Sequence, residues 1–452
     1  MAKSKSTFVC QSCGTNSAKW IGRCPACGEW NTYIEEIIAK PQAGASTSVK
    51  RFTSRPKKLT EIESEDVKRM QTGNLEFDRV VGGGIVPGSI ILIGGEPGIG
   101  KSTLVLQLAL AIKEFSILYI SGEESQQQLK MRAERLGNSN DNLWFISENS
   151  LEANLKHMVE LDPKIIIVDS IQTLVTEKAE SSAGTVTQIR ECTAELLHYA
   201  KENHVPVILI GHINKEGNLA GPKVLEHMVD TVLQFEGDQN HLYRILRSKK
   251  NRFGSTDELG IYEMEPSGLR EVANPSEMLL ATRGMQLSGN AVSATMEGQR
   301  PILLQTQALV STAAYGTPQR SATGFDIRRL GMLLAVLEKR AGFRLAIKDV
   351  FLNMAGGLKV TDPATDLAIM AAILSSDKNE TINQNTCFTG EVGLSGEIRP
   401  VSRIDLRITE AARLGFDQIF IPEGNVKKLD RKQFKIAIEP VRHIGELYNK
   451  LF

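Results

Sequence analysis

The 452-residue sequence has no excess of charge of either sign, because 53 Lys and Arg residues balance 53 Asp and Glu residues. This balance excludes a protein that is basic over its whole surface and coats nucleic acid, although local basic patches are compatible with it. Aromatic residues make up only 6% of the chain, but hydrophobic residues make up 41%. A chain with this apolar content forms packed cores, so disorder along the whole length is excluded.

Long hydrophobic runs are also absent. Charged residues, Gly or Pro interrupt every apolar stretch before it reaches the roughly 18 residues that a membrane-spanning helix needs. The opening residues, MAKSKSTFVCQS, contain no apolar stretch of the signal-peptide kind. We therefore expect a cytoplasmic protein without a membrane-spanning segment.

Cysteine is scarce, and its positions are informative. Six cysteines are too few for a disulfide scaffold in a chain of this length, and four of them form two Cys-x-x-Cys pairs near the amino end. The spacing is typical of a tetrahedral Zn²⁺ site, and an iron–sulfur or redox site is the alternative. The predicted zinc ligands are Cys10, Cys13, Cys24 and Cys27.

Short β-rich runs alternate with helical stretches from about residue 65, which predicts an α/β fold with a parallel sheet. The runs after Asp230, which include TVLQFEG and GIYEME, have no long helix between them and suggest antiparallel strands. A second α/β pattern follows, with helices expected at 325–341, 363–376 and 402–414. The expected organisation is a Cys₄ zinc finger at 1–35, a flexible basic linker at 36–60, a P-loop ATPase domain at 61–272 and a further domain at 280–452.

A glycine-rich loop fits the G-x-x-x-x-G-K-[ST] pattern that holds nucleotide phosphates. It follows a predicted strand at 90–93 and opens a predicted helix, so backbone N–H groups and the helix N-terminus face the phosphates. We expect Lys101 to contact the β- and γ-phosphates of ATP and the Ser102 hydroxyl to ligate Mg²⁺. The predicted nucleotide-binding residues of the loop are Gly95, Glu96, Pro97, Gly98, Ile99, Gly100, Lys101, Ser102 and Thr103.

Carboxylates at the ends of two other strands extend this predicted site. Asp169 ends the apolar run KIIIVD, where we expect it to orient a water molecule on the metal. Glu123 and Glu124 end the run YISGEE, and a carboxylate there can act as a general base on the attacking water. We predict Glu123 as the base, with Glu124 as the alternative.

The order of these motifs resembles the RecA/DnaB-type ATPase core, in which His212 falls at the position of a polar γ-phosphate sensor. The sequence KNRFG at 250–254, after such a core and behind a Cys₄ module, resembles the bacterial RadA/Sms family over essentially the whole chain. This resemblance implies that Lys250 and Arg252 act on the γ-phosphate bound by a neighbouring subunit and neutralise the charge of the transition state.

The same resemblance implies a DNA-dependent ATPase and helicase of homologous recombination and DNA repair. Such a protein forms a ring, expected to be a homo-hexamer, that translocates on single-stranded DNA. It extends the recombination intermediates made by RecA through branch migration, so RecA and branched DNA are expected partners. The alternative is a nucleotide-switched scaffold of the RecA/KaiC type with little motor activity.

Two polar, glycine-containing stretches of the core, 176–189 and 214–227, are candidates for DNA contact, because such loops face the channel of RecA-like rings. The candidate contacts to the DNA backbone are Lys178, Lys215 and Lys223. In the cysteine module, Trp20 and Trp30 are interpreted either as platforms for base stacking or as the core of the module.

The last domain resembles the protease domain of Lon at 362–368, 389–400 and 420–425. The position of the Lon nucleophile holds Ala364, and the position of its Lys base holds Asp405, so both catalytic groups are missing. We expect the fold without the peptidase chemistry, and an ATP-dependent protease is the less favoured alternative. Arg328 and Arg329 on the predicted helix 325–341 are further candidates for DNA contact.

The cysteine pattern leads to a direct test of zinc. The purified protein should contain about one zinc ion per chain, and Cys27→Ala should lose it, because three thiolates do not complete a closed structural site. Cys192→Ala, which changes a single cysteine outside the two pairs, should keep the metal. Elemental analysis of the three proteins measures this, and a parent protein without zinc would exclude the Cys₄ site.

Overall fold

The computed structural model describes residues 5–11, 14–38, 58, 68–137, 139–212, 223–237, 243–280, 287–313, 316–355, 360–427 and 429–452. The chain divides into two compact units, Met1–Gly237 with Arg244–Glu271 and Asp238–Tyr243 with Val272–Phe452. The predicted linker at 36–60 lies almost entirely outside the described residues. Among the helices of these ranges, none is long and apolar enough to cross a membrane.

The amino-terminal module is a small antiparallel sheet. Its strands are β1 (Lys5–Cys10), β2 (Asn16–Ser17) and β3 (Tyr33–Ile38), in the order β2-β1-β3. The buried side chains of Cys10, Cys24 and Tyr33 form its centre. A core this small needs a further constraint to be stable, and a bound metal provides one.

The first unit also contains a nine-stranded sheet in the part of the chain described here, in the order β12-β11-β10-β9-β4-β8-β7-β5-β6. The strands from β9 to β6 in this order run parallel. The bounds are β4 (Ile90–Gly95), β5 (Ile117–Ser121), β6 (Leu143–Ser147), β7 (Ile165–Asp169), β8 (Val207–His212), β9 (Thr231–Gly237), β10 (Tyr243–Asn251), β11 (Leu259–Glu265) and β12 (Gly268–Glu271).

Helices cover both faces of this sheet, because successive residues of each buried strand point to opposite sides. Ile91 and Ile93 of β4 belong to one apolar cluster, whereas Ile90 and Leu92 belong to another. The helices are α1 (Leu75–Val81), α2 (Lys101–Ala111), α3 (Gln126–Arg135), α4 (Leu151–Leu161), α5 (Val186–Asn203) and α6 (Lys223–Met228). Helices α1, α3, α4 and α5 begin after Asn, Ser, Ser and Thr residues whose side chains accept a backbone N–H of the first turn.

The expectation of antiparallel strands after Asp230 is confirmed for the pairs β9–β10 and β11–β12. Strand β9 pairs with β4 in parallel register, with Thr231 opposite Ile91. Strand β10 then returns antiparallel to β9, and β12 pairs antiparallel with β11.

The second unit is built on a mixed seven-stranded sheet in the described ranges, in the order β15-β16-β14-β13-β17-β20-β21. A two-stranded sheet of β18 and β19 accompanies it. The strands are β13 (Asn290–Glu297), β14 (Arg300–Thr312), β15 (Arg320–Thr323), β16 (Lys348–Met354), β17 (Thr386–Phe388), β18 (Glu391–Val392), β19 (Ile398–Arg399), β20 (Gln418–Pro422) and β21 (Ala437–Val441).

The helices expected at 325–341, 363–376 and 402–414 are confirmed as α8, α9 and α10. The second begins with a 3₁₀ turn, Pro363–Thr365, before the α-helix proper. Helix α9 is buried on all sides over its first ten residues, as expected for a helix without a polar face. The bounds are α7 (Pro275–Leu279), α8 (Ile327–Ala341), α9 (Asp366–Lys378), α10 (Ile404–Arg413), α11 (Glu423–Val426) and α12 (Ile444–Leu451).

A buried ion pair joins α10 to the turn before α9. The Arg407 guanidinium is 1% exposed and lies 2.7 Å from a carboxylate oxygen of Asp362. The same guanidinium donates to the carbonyl of Ala294 at 2.7 Å. Burial lowers the pKa of Arg407, and the Asp362 carboxylate opposes this shift.

Replacing Arg407 measures how much this ion pair contributes to the stability of the second unit. Arg407→Met should lower the unfolding midpoint of the second unit by about 6–12 °C, since it leaves the largely buried Asp362 carboxylate without its cation, with the N–H groups of Met296 and Ala364 as remaining donors, at a cost of about 3 kcal/mol. Arg413→Met removes a half-exposed partner of Glu410 on the same helix and should shift the midpoint far less. Calorimetry measures both, and equal shifts would mean that the buried pair contributes no more than a surface pair.

Candidate functional site

The carboxyl ends of four neighbouring parallel strands meet at one edge of the large sheet. Gly95 at the end of β4 pairs with His212 at the end of β8, and Ser121 at the end of β5 pairs with Asp169 at the end of β7. Residues that directly follow these strands therefore come together although they are far apart in sequence. This edge holds the glycine-rich loop, Asp169 and the Glu123–Glu124 pair.

The glycine-rich loop connects β4 to α2 and has a backbone that only glycine adopts readily. Gly98 and Gly100 have φ values of 78° and 111°, in the left-handed region. Residues 96–98 are exposed, whereas Ile99 is buried and fixes the loop to the core. The first turn of α2 thus presents its N–H groups at the sheet edge, which is the arrangement that binds phosphate.

Lys101 lies at the first position of α2 and folds back over the loop. Its Nζ donates to the carbonyl oxygens of Gly95 at 2.8 Å and Glu96 at 2.9 Å. Burial lowers the pKa of Lys101 to about 8, and the nearby carboxylates of Asp169 and Glu123 oppose this shift. The ammonium is therefore desolvated and positioned where phosphate oxygens can replace the two carbonyls.

Ser102 and Asp169 fit a Mg²⁺ site. The Ser102 side chain hydrogen-bonds to Asp169, so a hydroxyl and a carboxylate, both oxygen ligands of the kind that Mg²⁺ takes, lie together beside the loop. The Tyr119 hydroxyl also donates a hydrogen bond to this carboxylate, to Asp169 Oδ2 at 2.8 Å. Burial raises the pKa of Asp169, and these hydrogen bonds oppose the shift. Tyr119 was missed by sequence analysis, because a tyrosine within an apolar strand looks like any core residue.

The two adjacent glutamates have different partners. Glu123 Oε1 accepts a hydrogen bond from the Ser170 hydroxyl at 2.8 Å, directly after Asp169. Glu124 instead forms an ion pair with Arg132 of α3. Burial raises the pKa of Glu124, and Arg132 partly offsets this. The sequence does not identify Arg132 as the partner of Glu124, because the contact depends on how α3 packs in the fold.

The KNRFG sequence begins in strand β10 and continues into the turn after it. The Lys250 Nζ donates to the carbonyl oxygens of Glu226 at 2.7 Å, His227 at 3.2 Å and Val229 at 2.7 Å. Arg252 is 57% exposed and lies 3.2 Å from a carboxylate oxygen of Asp230. Within this chain, Lys250 therefore contacts the end of α6 and Val229, and Arg252 contacts Asp230, the residue before β9.

Asp230 is the buried centre of these contacts. It is 2% exposed, pairs with Lys201 at 2.7 Å, and accepts the backbone N–H of Ile90 at 3.1 Å. Ile90 is the first residue of β4, so Asp230 and Arg252 lie at the amino edge of the parallel strands. The glycine-rich loop lies at the other edge of the sheet. The length of β4, five steps from Ile90 to Gly95 at about 3.3 Å each, separates the loop from Asp230 and Arg252.

The cysteine module brings its described thiols together. The sulfur atoms of Cys10, Cys24 and Cys27 all lie within 4.8 Å of one another, and Cys10 Sγ is 3.7 Å from Cys27 Sγ. A tetrahedral zinc with bonds of about 2.3 Å places its sulfur ligands about 3.8 Å apart, so these residues fit the metal. Cys13 lies outside the described residues. The chain turns through left-handed glycines, Gly14 and Gly28, after each pair.

The two tryptophans of the module are not its core. Trp20 is 53% and Trp30 is 66% exposed, and the guanidinium of Arg23 lies over the Trp30 ring at 5.7 Å from the centroid. The interpretation of the indoles as the core was therefore wrong, and both rings have surface that is accessible to a stacking base. Elsewhere, Cys192 and Cys387 are buried in a helix and a strand, as expected for packing residues.

The predicted DNA-contacting lysines are only partly described. Lys178 forms an ion pair with Glu195 of α5. Lys223 begins helix α6, and Lys215 lies outside the described residues. In the second unit, Arg329 pairs with the buried carboxylate of Asp366, so it acts within the fold. Ala364 is fully buried in the turn before α9, and Asp405 lies in the first turn of α10.

Comparisons with family models match three parts of the chain. Residues 8–35 match a rubredoxin metal binding domain, residues 56–218 an AAA domain, and residues 321–425 the subunit ChlI of Mg-chelatase. These matches confirm the predicted fold class: a P-loop ATPase core behind a small metal-binding module, followed by a Lon-like α/β domain. They imply nucleotide in the core and zinc in the module.

Curated relatives match over nearly the whole chain. The DNA repair protein RadA of Bacillus subtilis is 51% identical over 432 residues, and the alignment covers 94% of each protein. The protein of the same name from Streptococcus pyogenes serotype M1 is 47% identical over 453 residues and covers 100% of both. Among solved structures, a KaiC-like protein from Pyrococcus horikoshii matches 46% of this chain and 99% of its own, with 20% identity and a TM-score of 0.38.

The Tyr119–Asp169 contact can be tested by removing one hydroxyl. Tyr119→Phe should raise the Mg²⁺ concentration needed for half-maximal nucleotide binding by on the order of tenfold, since a hydrogen bond to a charged acceptor contributes about 1.5 kcal/mol. A Mg²⁺ titration with a fluorescent ATP analogue measures this. Tyr262→Phe is the matched control, because it removes a buried hydroxyl of the same sheet that contacts Asn74 at 2.9 Å. Equal Mg²⁺ requirements in the two variants would contradict the assignment.

Proposed function

This chain belongs to the RadA family of DNA repair proteins, and we propose that it is an ATP-hydrolysing motor that works on DNA as a ring. The ring, expected to be a homo-hexamer, translocates on single-stranded DNA with helicase activity. It extends by branch migration the recombination intermediates that RecA makes. Single-stranded and branched DNA are its substrates, and RecA is its partner.

The position of Arg252 carries the proposal of a ring. This side chain lies with Asp230 at the amino edge of β4, whereas the glycine-rich loop lies at the carboxyl edge, about 16 Å away along the strand. An arginine side chain does not extend over that distance. Arg252 is also more than half exposed. A cation placed in this way can act on ATP only if the nucleotide is bound by another subunit, which supports the finger in trans.

Hydrolysis in each site needs four contributions: a phosphate contact, a neutralising cation, a metal site and a general base. Lys101 exchanges its two loop carbonyls for the β- and γ-phosphate oxygens, and Arg252 of the adjacent subunit neutralises the charge that develops in the transition state. Ser102 and Asp169 would hold Mg²⁺, which would supply positive charge to the phosphate oxygens. Glu123 takes the proton of the attacking water, because Glu124 is already paired with Arg132.

DNA is contacted from the segments that follow β7 and β8, through Lys178, Lys215 and Lys223. The ion pair between Lys178 and Glu195 joins exposed side chains and is therefore weak, so a phosphate can replace the glutamate. The exposed indoles of Trp20 and Trp30 give the zinc module stacking surfaces for unpaired bases. A Lon-type protease is disfavoured, because Ala364 and Asp405 provide neither nucleophile nor base.

The proposal is tested by measuring ATP hydrolysis with and without single-stranded DNA, together with strand displacement on a forked DNA. DNA should stimulate hydrolysis, and the fork should be opened only with ATP. Lys101→Ala should lower hydrolysis by about 10²–10³-fold while the protein stays folded, because the ammonium stabilises the charge of the transition state and its contacts in the free protein are two carbonyls of the glycine-rich loop. Hydrolysis without any response to DNA would instead favour the nucleotide-switched scaffold.

A further inference from the structure

The two adjacent glutamates after β5 are held in different directions by different parts of the fold. Glu123 accepts a hydrogen bond from the Ser170 hydroxyl at 2.8 Å, whereas the carboxylate of Glu124 is bonded by Arg132. Arg132 lies in the second turn of α3, and the side chains of a helix lean towards its amino end, so the guanidinium reaches back over the start of the helix. Glu124 lies just before this start, because Ser125 is the N-cap of α3.

The main chain of Glu124 is fixed on both sides. Its N–H donates to the Ser121 hydroxyl at 3.0 Å, and its carbonyl accepts a hydrogen bond from the Ser147 hydroxyl at 3.3 Å. These contacts join Glu124 to the ends of β5 and β6, so its side chain starts from a fixed point beside the nucleotide site. The direction that the carboxylate takes from this point is set by its own side-chain contacts.

Within the described residues, Arg132 is the one side chain that bonds the Glu124 carboxylate. The two side chains are 25% and 26% exposed, and the pair is joined through one atom of each, Arg132 Nη2 and Glu124 Oε1. The other carboxylate oxygen, Oε2, and the other terminal nitrogen, Nη1, are buried and have no hydrogen-bond partner in the described ranges. The position of this carboxylate therefore depends on Arg132 in the part of the chain that the structure describes.

Three carboxylates share this edge of the sheet and repel one another. Burial raises the pKa of Glu124, the charges of Asp169 and Glu123 raise it further, and Arg132 opposes the shift. Burial lowers the pKa of Lys101, and the charges of Asp169 and Glu123 oppose this, so Lys101 is a second cation of the cluster. The proposed binding of phosphate engages Lys101, and Arg132 then remains to balance the charge of Glu124.

We infer that Arg132 is a positioning residue that holds Glu124 aside and balances its charge, so that Glu123 alone faces the attacking water. Without Arg132, the Glu124 carboxylate is released next to Glu123 and the transferred phosphate. Its negative charge then opposes the charge that develops on the phosphate oxygens, and it competes with Glu123 for the water. This inference rests on the proposed function, ATP hydrolysis with Glu123 as the base.

Steady-state ATP hydrolysis by the full chain tests this role by separating kcat from KM. Arg132→Met should lower kcat by on the order of tenfold and leave KM for ATP nearly unchanged, because Arg132 bonds Glu124 rather than the glycine-rich loop. Arg132→Lys keeps the positive charge and should retain more of kcat. Lys130→Met is the matched control and should hydrolyse ATP as the parent does, because Lys130 lies on the same helix and pairs with Glu134 between exposed side chains.

A second substitution separates positioning from a general loss of structure. When Glu124→Gln is added to Arg132→Met, an uncharged amide replaces the released carboxylate, so most of the lost kcat should return. A double variant no faster than Arg132→Met would overturn the inference, and so would an equal loss of kcat in Lys130→Met. Glu123→Gln should remove hydrolysis; if hydrolysis survives it, the base of the proposed function is wrong, and the failure lies there.

Thermal unfolding tests the pair without an assay of activity. Arg132→Met should lower the unfolding midpoint of the first unit by about 2–4 °C, since it leaves a largely buried carboxylate without its cation. The double variant with Glu124→Gln should unfold closer to the parent, because the uncompensated charge is gone. Equal midpoints for the parent and Arg132→Met would mean that Arg132 does not hold the carboxylate, and would overturn the inference whatever the rate of hydrolysis.

Discussion

The parallel register of the large sheet determines where the charged groups of the ATPase core lie. Because β4, β8, β7 and β5 end together, the glycine-rich loop, Asp169 and Glu123 meet at the carboxyl edge. Because β9 is also parallel to β4, the residue before it, Asp230, lies at the amino edge and holds Arg252 there. The sheet thus separates the glycine-rich loop from Arg252 of the same chain by the length of β4.

Hydrogen bonds offset the cost of burying a charged carboxylate at each edge of the large sheet. Asp169 is buried but accepts from Tyr119 and Ser102, and Asp230 is buried but accepts from Lys201 and the backbone of Ile90. A buried carboxylate without such donors would be costly, so these partners hold each oxygen in a defined direction. The Asp169 carboxylate is thereby held beside Ser102 at one edge, and the Asp230 carboxylate is held against the first residue of β4 at the other.

The nucleotide site could be predicted from sequence because its main elements are local: a glycine-rich loop of fixed spacing and acidic residues that end apolar strands. The side-chain contacts that position the charged groups could not be predicted from sequence. Tyr119 and Arg132 act through strand pairing and helix packing, and Lys250 through residues more than 20 positions away. The parallel pairing of β9 with β4 was also missed, because hydrophobic periodicity identifies a strand but not its neighbours in the sheet. The interpretation of the two tryptophans as the core of the module was wrong for a related reason, because burial in a small module depends on the register of its strands.

In the carboxyl-terminal domain, the two residues at the predicted positions of the Lon dyad, Ala364 and Asp405, suit their local structure. At the position where Lon has its nucleophile, Ala364 is fully buried, and its N–H donates to the carboxylate of Asp362 at 3.0 Å. A methyl group needs no hydrogen-bond partner there, whereas a hydroxyl would. Asp405 lies in the first turn of α10, where a carboxylate is favoured by the helix dipole and a lysine is not. Both replacements therefore favour the local fold, and with Arg407 binding Asp362 between them, the residues that remain stabilise the domain rather than hold a nucleophile in position.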